Sequence, residues 1–210
     1  MDVAKKKSKQ EININNNFFY NFNYMDYKKK YLKYKNKYLN LKLQKGGNLF
    51  KFNPSDINNI LSTLGQEVEY CGHFQNIGGI LYNVKDQTNR GDFNNGRAMC
   101  LYNSYNNIIW HTHPNTSKYY PSLEDILKVL KHEIIYFSYI FTQYGYWTMY
   151  FEGAYKHVAD PKFIKFVEDV NNKFYFESGN GREYNSKAID YYVNKLSSTI
   201  EGFQISFNTY

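Results

Sequence analysis

The stretch Asn107-Ile108-Ile109-Trp110-His111-Thr112-His113-Pro114, followed by Pro121-Ser122-Leu123-Glu124-Asp125, decides how the rest of the chain is read. Ile108, Ile109 and Trp110 form a short apolar run, expected as a buried strand. A proline-broken loop follows, then a helix expected to start near Ser122, with Leu123, Ile126, Leu127 and Leu130 at helical spacing. His111 and His113 are two apart, so on a strand they point to the same side. Asp125 falls in the first turn of the helix, within reach of the strand's end. Two imidazoles and a carboxylate converging there make three ligands for a tetrahedral zinc, one per chain, with the fourth position open to water. An open zinc site of this kind is a hydrolase site.

Downstream, Ile134 to Phe151 carries no formal charge over 18 residues, near the length of a membrane span. It is rich in Tyr, Phe, Ile, Thr and Trp, and Gln143-Tyr144-Gly145 interrupts it. Two strands joined by a turn fit better, and no transmembrane segment is expected. Asp160-Pro161 reads as the cap and first position of a helix. A last helix is expected over about Ser186 to Leu196, and Phe203, Ile205 and Phe207 alternate like a closing strand. Upstream, Pro54-Ser55 opens a helix with Ile57, Ile60, Leu61 and Leu64 on one face, closed by Gly65. Glu69 to Phe74, Gly79 to Val84 and Arg97 to Tyr102 read as strands. Helices mixed with mostly hairpin-linked strands predict an α/β fold: one domain over residues 48–210, a mixed β-sheet flanked by helices.

Charge is unevenly placed. The whole chain carries +7. Residues 1–47 hold twelve lysines against Asp2, Glu11 and Asp26, a net +9, while residues 48–210 hold 14 basic and 16 acidic residues, a net −2. The basic character therefore belongs to the extension, the folded part is near neutral, and a nucleic-acid reading of the whole protein would be misled by the average. Residues 1–26 are polar, Asn-rich and expected to be disordered. In 27–45, Tyr27, Tyr31, Tyr34, Tyr38 and Leu41 recur every three or four positions among lysines, predicting a basic amphipathic helix. Such a helix suits a phosphate-rich partner such as nucleic acid, an anionic membrane surface or a helical partner, and equally a solvated extension. Two cysteines, Cys71 and Cys100, make no disulfide framework and read as buried small hydrophobes in a reducing compartment. The first residues lack the apolar core of a secretory signal, so the protein is expected not to be secreted.

A zinc hydrolase also needs a carboxylate base near the metal but not on it, and a group to steady the oxyanion. Glu69 is the candidate base, with Gly72 three residues on leaving room for a neighbouring backbone to approach. Ser122 stands three residues before Asp125, and its hydroxyl can face the oxyanion. Ser122-x-x-Asp125 is equally a helix capping arrangement, which is compatible with ligation because a cap holds the carboxylate in place. His73, His132 and His157 show no partner pattern and read as structural or surface residues.

Together, Glu69, His111-x-His113-Pro114 and Ser122-x-x-Asp125 resemble the JAMM (MPN-plus, JAB-type) metalloprotease family, and Glu69-Tyr70-Cys71-Gly72 is similar to the Glu-x-Cys-Gly form of some of its deubiquitinases. The resemblance covers roughly residues 54–150 by element order. It implies a JAB/MPN-type domain and a zinc-dependent isopeptidase acting on ubiquitin or ubiquitin-like conjugates. In it, Glu69 is the general acid/base, His111, His113 and Asp125 are the zinc ligands, and Ser122 is the oxyanion support. Eleven residues separate His113 from Asp125, one more than the family's usual spacing, which leaves neighbouring Glu124 as a rival ligand. A non-catalytic MPN-type scaffold and a virion-associated structural protein are the alternatives. Residues 27–47 also resemble a segment near the start of many giant-virus proteins. That implies a large DNA virus as source, the host cytoplasm or the virion as location, and Gly46-Gly47 as a possible cleavage point.

Overall fold

The computed structural model describes residues 50–84, 89–90, 108–131, 137–151 and 153–210. The expected helix over 27–45, the Gly46-Gly47 point, the expected strand Arg97 to Tyr102, Cys100 and His132 lie outside the described residues.

The uncharged stretch that follows the Leu123 helix supplies two adjacent strands of the sheet. β6 (Phe137–Thr142) and β7 (Gly145–Tyr150) are buried at every position and pair antiparallel across the Gln143-Tyr144 turn. A strand covered on both faces reads as a continuous apolar run, which is why hydropathy alone resembled a membrane span. Among the described residues no helix is long and apolar enough to cross a membrane.

Around this hairpin the chain builds one mixed sheet. β1 (Lys51–Phe52) pairs parallel with β3 (Ile80–Asn83), β3 antiparallel with β2 (Tyr70–Ile77), and β2 antiparallel with β5 (Ile108–Thr112). β5 runs parallel to β6, and β8 (Gln204–Asn208) closes the far edge on β7. The order is β1-β3-β2-β5-β6-β7-β8, with the short β4 (Asn89–Arg90) also on β2. Four helices accompany it among the described residues: α1 (Pro54–Ser62), α2 (Leu123–Lys131), α3 (Pro161–Glu177) and α4 (Ser186–Thr199). The mixed α/β architecture expected from the sequence is what the structure contains, while β1 and β4 were not foreseen.

Local chemistry explains the helix starts. Asn53, Asp160 and Asn185 each accept a backbone N–H from the first turn, and Pro54 and Pro161 occupy first helical positions where no N–H is needed. Alternation then sends side chains to two cores. Ile140, Trp147, Met149 and Ile205 face α2, α3 and α4 and meet Ile126, Leu130, Val167, Phe174, Tyr192 and Leu196. On the other face Phe52 sits among Phe74, Tyr139, Phe141 and Tyr146, with ring centroids 5.2–5.5 Å away.

Two sequence readings are corrected. Gly72 faces Trp110 across the β2–β5 pair, and the close neighbour is the indole ring rather than a backbone. A Cβ there would lie 2.9 Å from indole Cε2 and Cζ2. The ring is fixed in turn by Trp110 Nε1–H donating to Asn83 Oδ1 at 2.9 Å. Cys71 is fully buried, as expected, but disulfide-bonded rather than a free thiol.

Gly72→Ala should therefore destabilise the domain by about 1–3 kcal/mol through overpacking against Trp110. Thermal denaturation beside Gly65→Ala, where a Cβ meets nothing within 4 Å, checks it; equal melting temperatures would remove this account of Gly72.

Candidate metal centre

Pairing places the histidines. In the β5–β6 register His111 stands opposite Ile140, a residue of the helix-side core, and Cys71 flanks His111 on the other strand. Directly paired residues share a face, so His111 points toward the helices. His113 lies just beyond the strand, yet its N–H still donates to the Phe141 carbonyl at 2.8 Å, which extends the ladder and keeps it on the same side. Thr112, between them, points the other way. Its Oγ1 accepts the Tyr70 N–H at 2.8 Å, fastening the start of β2 beside the end of β5. Glu69 immediately precedes Tyr70, so this bond brings it to the histidines.

The loop after His113 is anchored at several points. Trp147 Nε1–H donates to the Tyr119 carbonyl at 2.7 Å, Asn115 N–H to the Leu64 carbonyl at 3.0 Å, and the Tyr192 hydroxyl to the Pro121 carbonyl at 2.9 Å. It delivers α2 with Asp125 in its first turn. Ser122 and Asp125 form the expected cap: Asp125 N–H donates to Ser122 Oγ at 3.2 Å. The Ser122 N–H and hydroxyl donate to Asp125 Oδ2 at 2.8 and 2.7 Å. The Ser122 hydroxyl is thus committed to the carboxylate.

His111, His113 and Asp125 converge, with one candidate ligand atom from each inside 4.8 Å. His111 Nε2 lies 3.2 Å from His113 Nε2 and 3.2 Å from Asp125 Oδ1, and His113 Nε2 lies 3.6 Å from Asp125 Oδ2. A tetrahedral ion with arms of about 2.0–2.1 Å separates its ligand atoms by about 3.3–3.4 Å, so these edges already approach a coordination sphere. The His113 Nδ1 lies 2.9 Å from the Lys118 carbonyl. A carbonyl only accepts, so Nδ1 carries the proton and Nε2 turns its lone pair into the cluster. The group can therefore hold a metal ion. The carboxylate gathered with the histidines is Asp125, while Glu124, the alternative ligand, is exposed at the preceding position of the helix.

Glu69 stands outside the triad. Its Oε1 is 4.0 Å from His113 Nε2, and its side chain keeps 26% of its exposure. That is near enough to share a water with the site and far enough not to be a ligand. Lys128, one turn after Asp125 on α2, was not singled out from the sequence. Burial lowers its pKa, while Asp125, Glu69 and Glu124 pull the other way. Its i,i+3 spacing from Asp125 was the available signal. Of the other histidines, His73 is buried on β2 and His157 is exposed.

Burial alone would raise the Asp125 pKa, but the charge and hydrogen bonds of the two imidazoles hold it well below the usual carboxylate value. Burial likewise works to lower His113, and Asp125, the Glu69 charge and the Lys118 carbonyl outweigh it, so its pKa stands above 6.5. No protein-family model, curated protein or solved structure matches the chain.

The two shifts set a pH signature for the metal-free protein. Asp125, with a depressed folded pKa, contributes stability above its unfolded value near 3.9, lost as pH falls through the folded value. His113, with a raised folded pKa, contributes below its unfolded value near 6.5, lost as pH rises through the folded value. Metal-free protein should gain most from the pair between about pH 4 and 6.5, and its melting temperature should fall above that window. Metal-loaded protein should show the opposite slope there, because the ion replaces the proton. Melting curves with and without chelator check the sign. Ser122→Ala should weaken metal affinity about 10–100-fold by releasing Asp125, as read by chelator competition.

Proposed function

We propose that this chain is a zinc-dependent hydrolase of amide bonds, and within that class an isopeptidase acting on ubiquitin- or ubiquitin-like–lysine linkages. One observation carries the reading: two histidines and an aspartate gathered within 4.8 Å, with a second, non-ligating carboxylate, that of Glu69, 4.0 Å from His113 Nε2. The donor set of two nitrogens and one oxygen, with edges suited to a tetrahedron, favours zinc over the harder cations, which take more oxygen ligands. The narrower choice of isopeptide substrate rests on the resemblance to the JAMM pattern.

A zinc ion held there supplies Lewis acidity and brings the pKa of a water down to roughly 7. The chain's own residues do the rest. His113, its Nδ1–H on the Lys118 carbonyl, keeps Nε2 aimed into the site. Asp125, held by the Ser122 hydroxyl and N–H, keeps its carboxylate at the helix start. Glu69 accepts a proton from the attacking water. As oxygen adds to the carbonyl carbon and the C–N bond breaks, it returns that proton to the leaving lysine amine. The oxyanion role that the resemblance gives Ser122 requires its hydroxyl to give up Asp125 Oδ2; in the arrangement above it steadies the ligand instead.

The purified protein should contain about one zinc per chain, lost in His113→Ala. Glu69→Gln should keep the zinc and lose about 10²–10⁴-fold in cleavage of a ubiquitin-conjugate panel, the usual worth of a general base. Cleavage by Glu69→Gln at the wild-type rate would refute the mechanism. A folded protein that takes up no zinc would refute the metal site and leave the non-catalytic scaffold.

A further inference from the structure

One peptide unit joins the helix core to the metal centre. The bond between Pro121 and Ser122 is planar and trans, so its carbonyl and its N–H point in opposite directions and cannot turn independently. The N–H end donates to Asp125 Oδ2 at 2.8 Å, and the carbonyl end accepts the Tyr192 hydroxyl at 2.9 Å. Pro121 is buried and Ser122 is exposed. Water therefore competes for the bond at the Asp125 end, and the plane is held from the Pro121 end.

Tyr192 is itself held firmly. It is fully buried on α4, with the ring centroids of Phe174, Trp147 and Tyr120 at 5.1, 5.4 and 6.2 Å from its own. Those rings fix the direction in which its hydroxyl points. The side-chain amide of Asn171, on α3, lies 2.8 Å from the same hydroxyl oxygen. The Pro121 carbonyl can only accept, so the phenol proton goes to it, and the amide serves the hydroxyl oxygen through its NH2 end. Around them the cluster is apolar: Val167, Val170, Phe174, Ala188 and Leu196. Burying a phenol and an amide there costs free energy that their hydrogen bonds offset without a large surplus, and an apolar pair of the same shape would hold the helices as well. Packing of α3 on α4 therefore does not account for these two polar groups. Fixing the Pro121 carbonyl does.

We propose that Tyr192 is a positioning residue for the metal centre: it clamps the Pro121–Ser122 peptide, which holds the Asp125 carboxylate in the orientation an ion needs. The bond accepted at the carbonyl also polarises the peptide and strengthens its N–H as a donor to the carboxylate. The Ser122 hydroxyl binds the same Oδ2 at 2.7 Å, but it rotates about its own C–O bond, whereas the N–H is fixed in direction by the peptide plane. The inference rests on His111, His113 and Asp125 as metal ligands and is independent of the bond the site cleaves.

Cobalt(II) titration of the purified, chelator-treated protein tests it, because the ion's visible absorption reports both affinity and the arrangement of the ligands. The wild type should bind about one ion per chain. Tyr192→Phe, which keeps the ring and loses only the hydroxyl, should weaken cobalt about tenfold or more and change the absorption bands. Asn171→Leu, which removes the support on the hydroxyl's other side, should weaken it about fivefold, the worth of one hydrogen bond. Leu196→Ala, one turn along α4 from Tyr192, opens a cavity in the same core. It should lower the melting temperature yet bind cobalt with wild-type affinity and bands. Wild-type affinity and bands in Tyr192→Phe would overturn the proposal alone, whatever its melting temperature. If Tyr192→Phe does not fold, Asn171→Leu decides, and wild-type affinity there overturns the proposal. An equal loss of affinity in Leu196→Ala would overturn it too, by tracing the effect to a loosened core. A wild type that binds neither cobalt nor zinc would remove the metal centre itself, and the positioning role with it.

Discussion

The parallel pairing of β5 with β6 is the constraint on which the site depends. Parallel neighbours cannot be joined by a tight turn, so the chain after His113 must leave the sheet, cross over one face and return. The crossover is the anchored loop plus α2, and it starts where β5 ends. Asp125, in the first turn of α2, is thereby carried back over the strand end that holds His111 and His113. Grouping a metal's ligands at the C-terminal end of a strand before a helix follows the general placement of sites in sheets with parallel strands. The antiparallel β2 on the other side of β5 supplies the remaining carboxylate through the Thr112–Tyr70 bond.

Asp125 serves two ends with one side chain. Its Oδ2 satisfies the Ser122 N–H and hydroxyl at the helix start, while its Oδ1 faces His111. A carboxylate used only as a cap would be free to swing into water, and one used only as a ligand would bear the rotamer cost alone. Sharing fixes its rotamer before an ion arrives. The charges are balanced in the same spirit. Two imidazoles hold Asp125 ionised, Asp125 and Glu69 keep His113 basic, and half-buried Lys128 stands among the same carboxylates. In the chain without metal these groups partner each other, and an ion bound there would take the place of a proton.

The two faces of the sheet divide the work. One is covered by the aromatic set around Phe52, where the buried Trp110 ring fills the space that Gly72 leaves open. The other carries the histidines and the helices. Because β5 alternates, a single strand contributes Trp110 and Thr112 to the first face and Ile109 and His111 to the second. A one-residue slip in register would exchange the two sets and abolish the site.

Much of this was legible in the residues alone. Periodicity located α1, α2 and the closing β8, Asp160-Pro161 marked the start of α3 to the residue, and a helix was expected where α4 lies. His-x-His followed by Ser-x-x-Asp named the metal-site candidates, because strand alternation and helix capping are local rules with fixed spacings. What lay beyond local rules was missed or left open: the Trp110 ring over Gly72, the disulfide on Cys71, the place of Lys128, and the choice between Asp125 and Glu124. Each depends on which distant segments meet, and that is set by strand order and by the path of the crossover. By itself the sequence determined the elements and the ligand types. The tertiary structure decided which side chains share a volume of a few ångströms, because convergence is a property of pairing and packing that no single stretch of chain encodes.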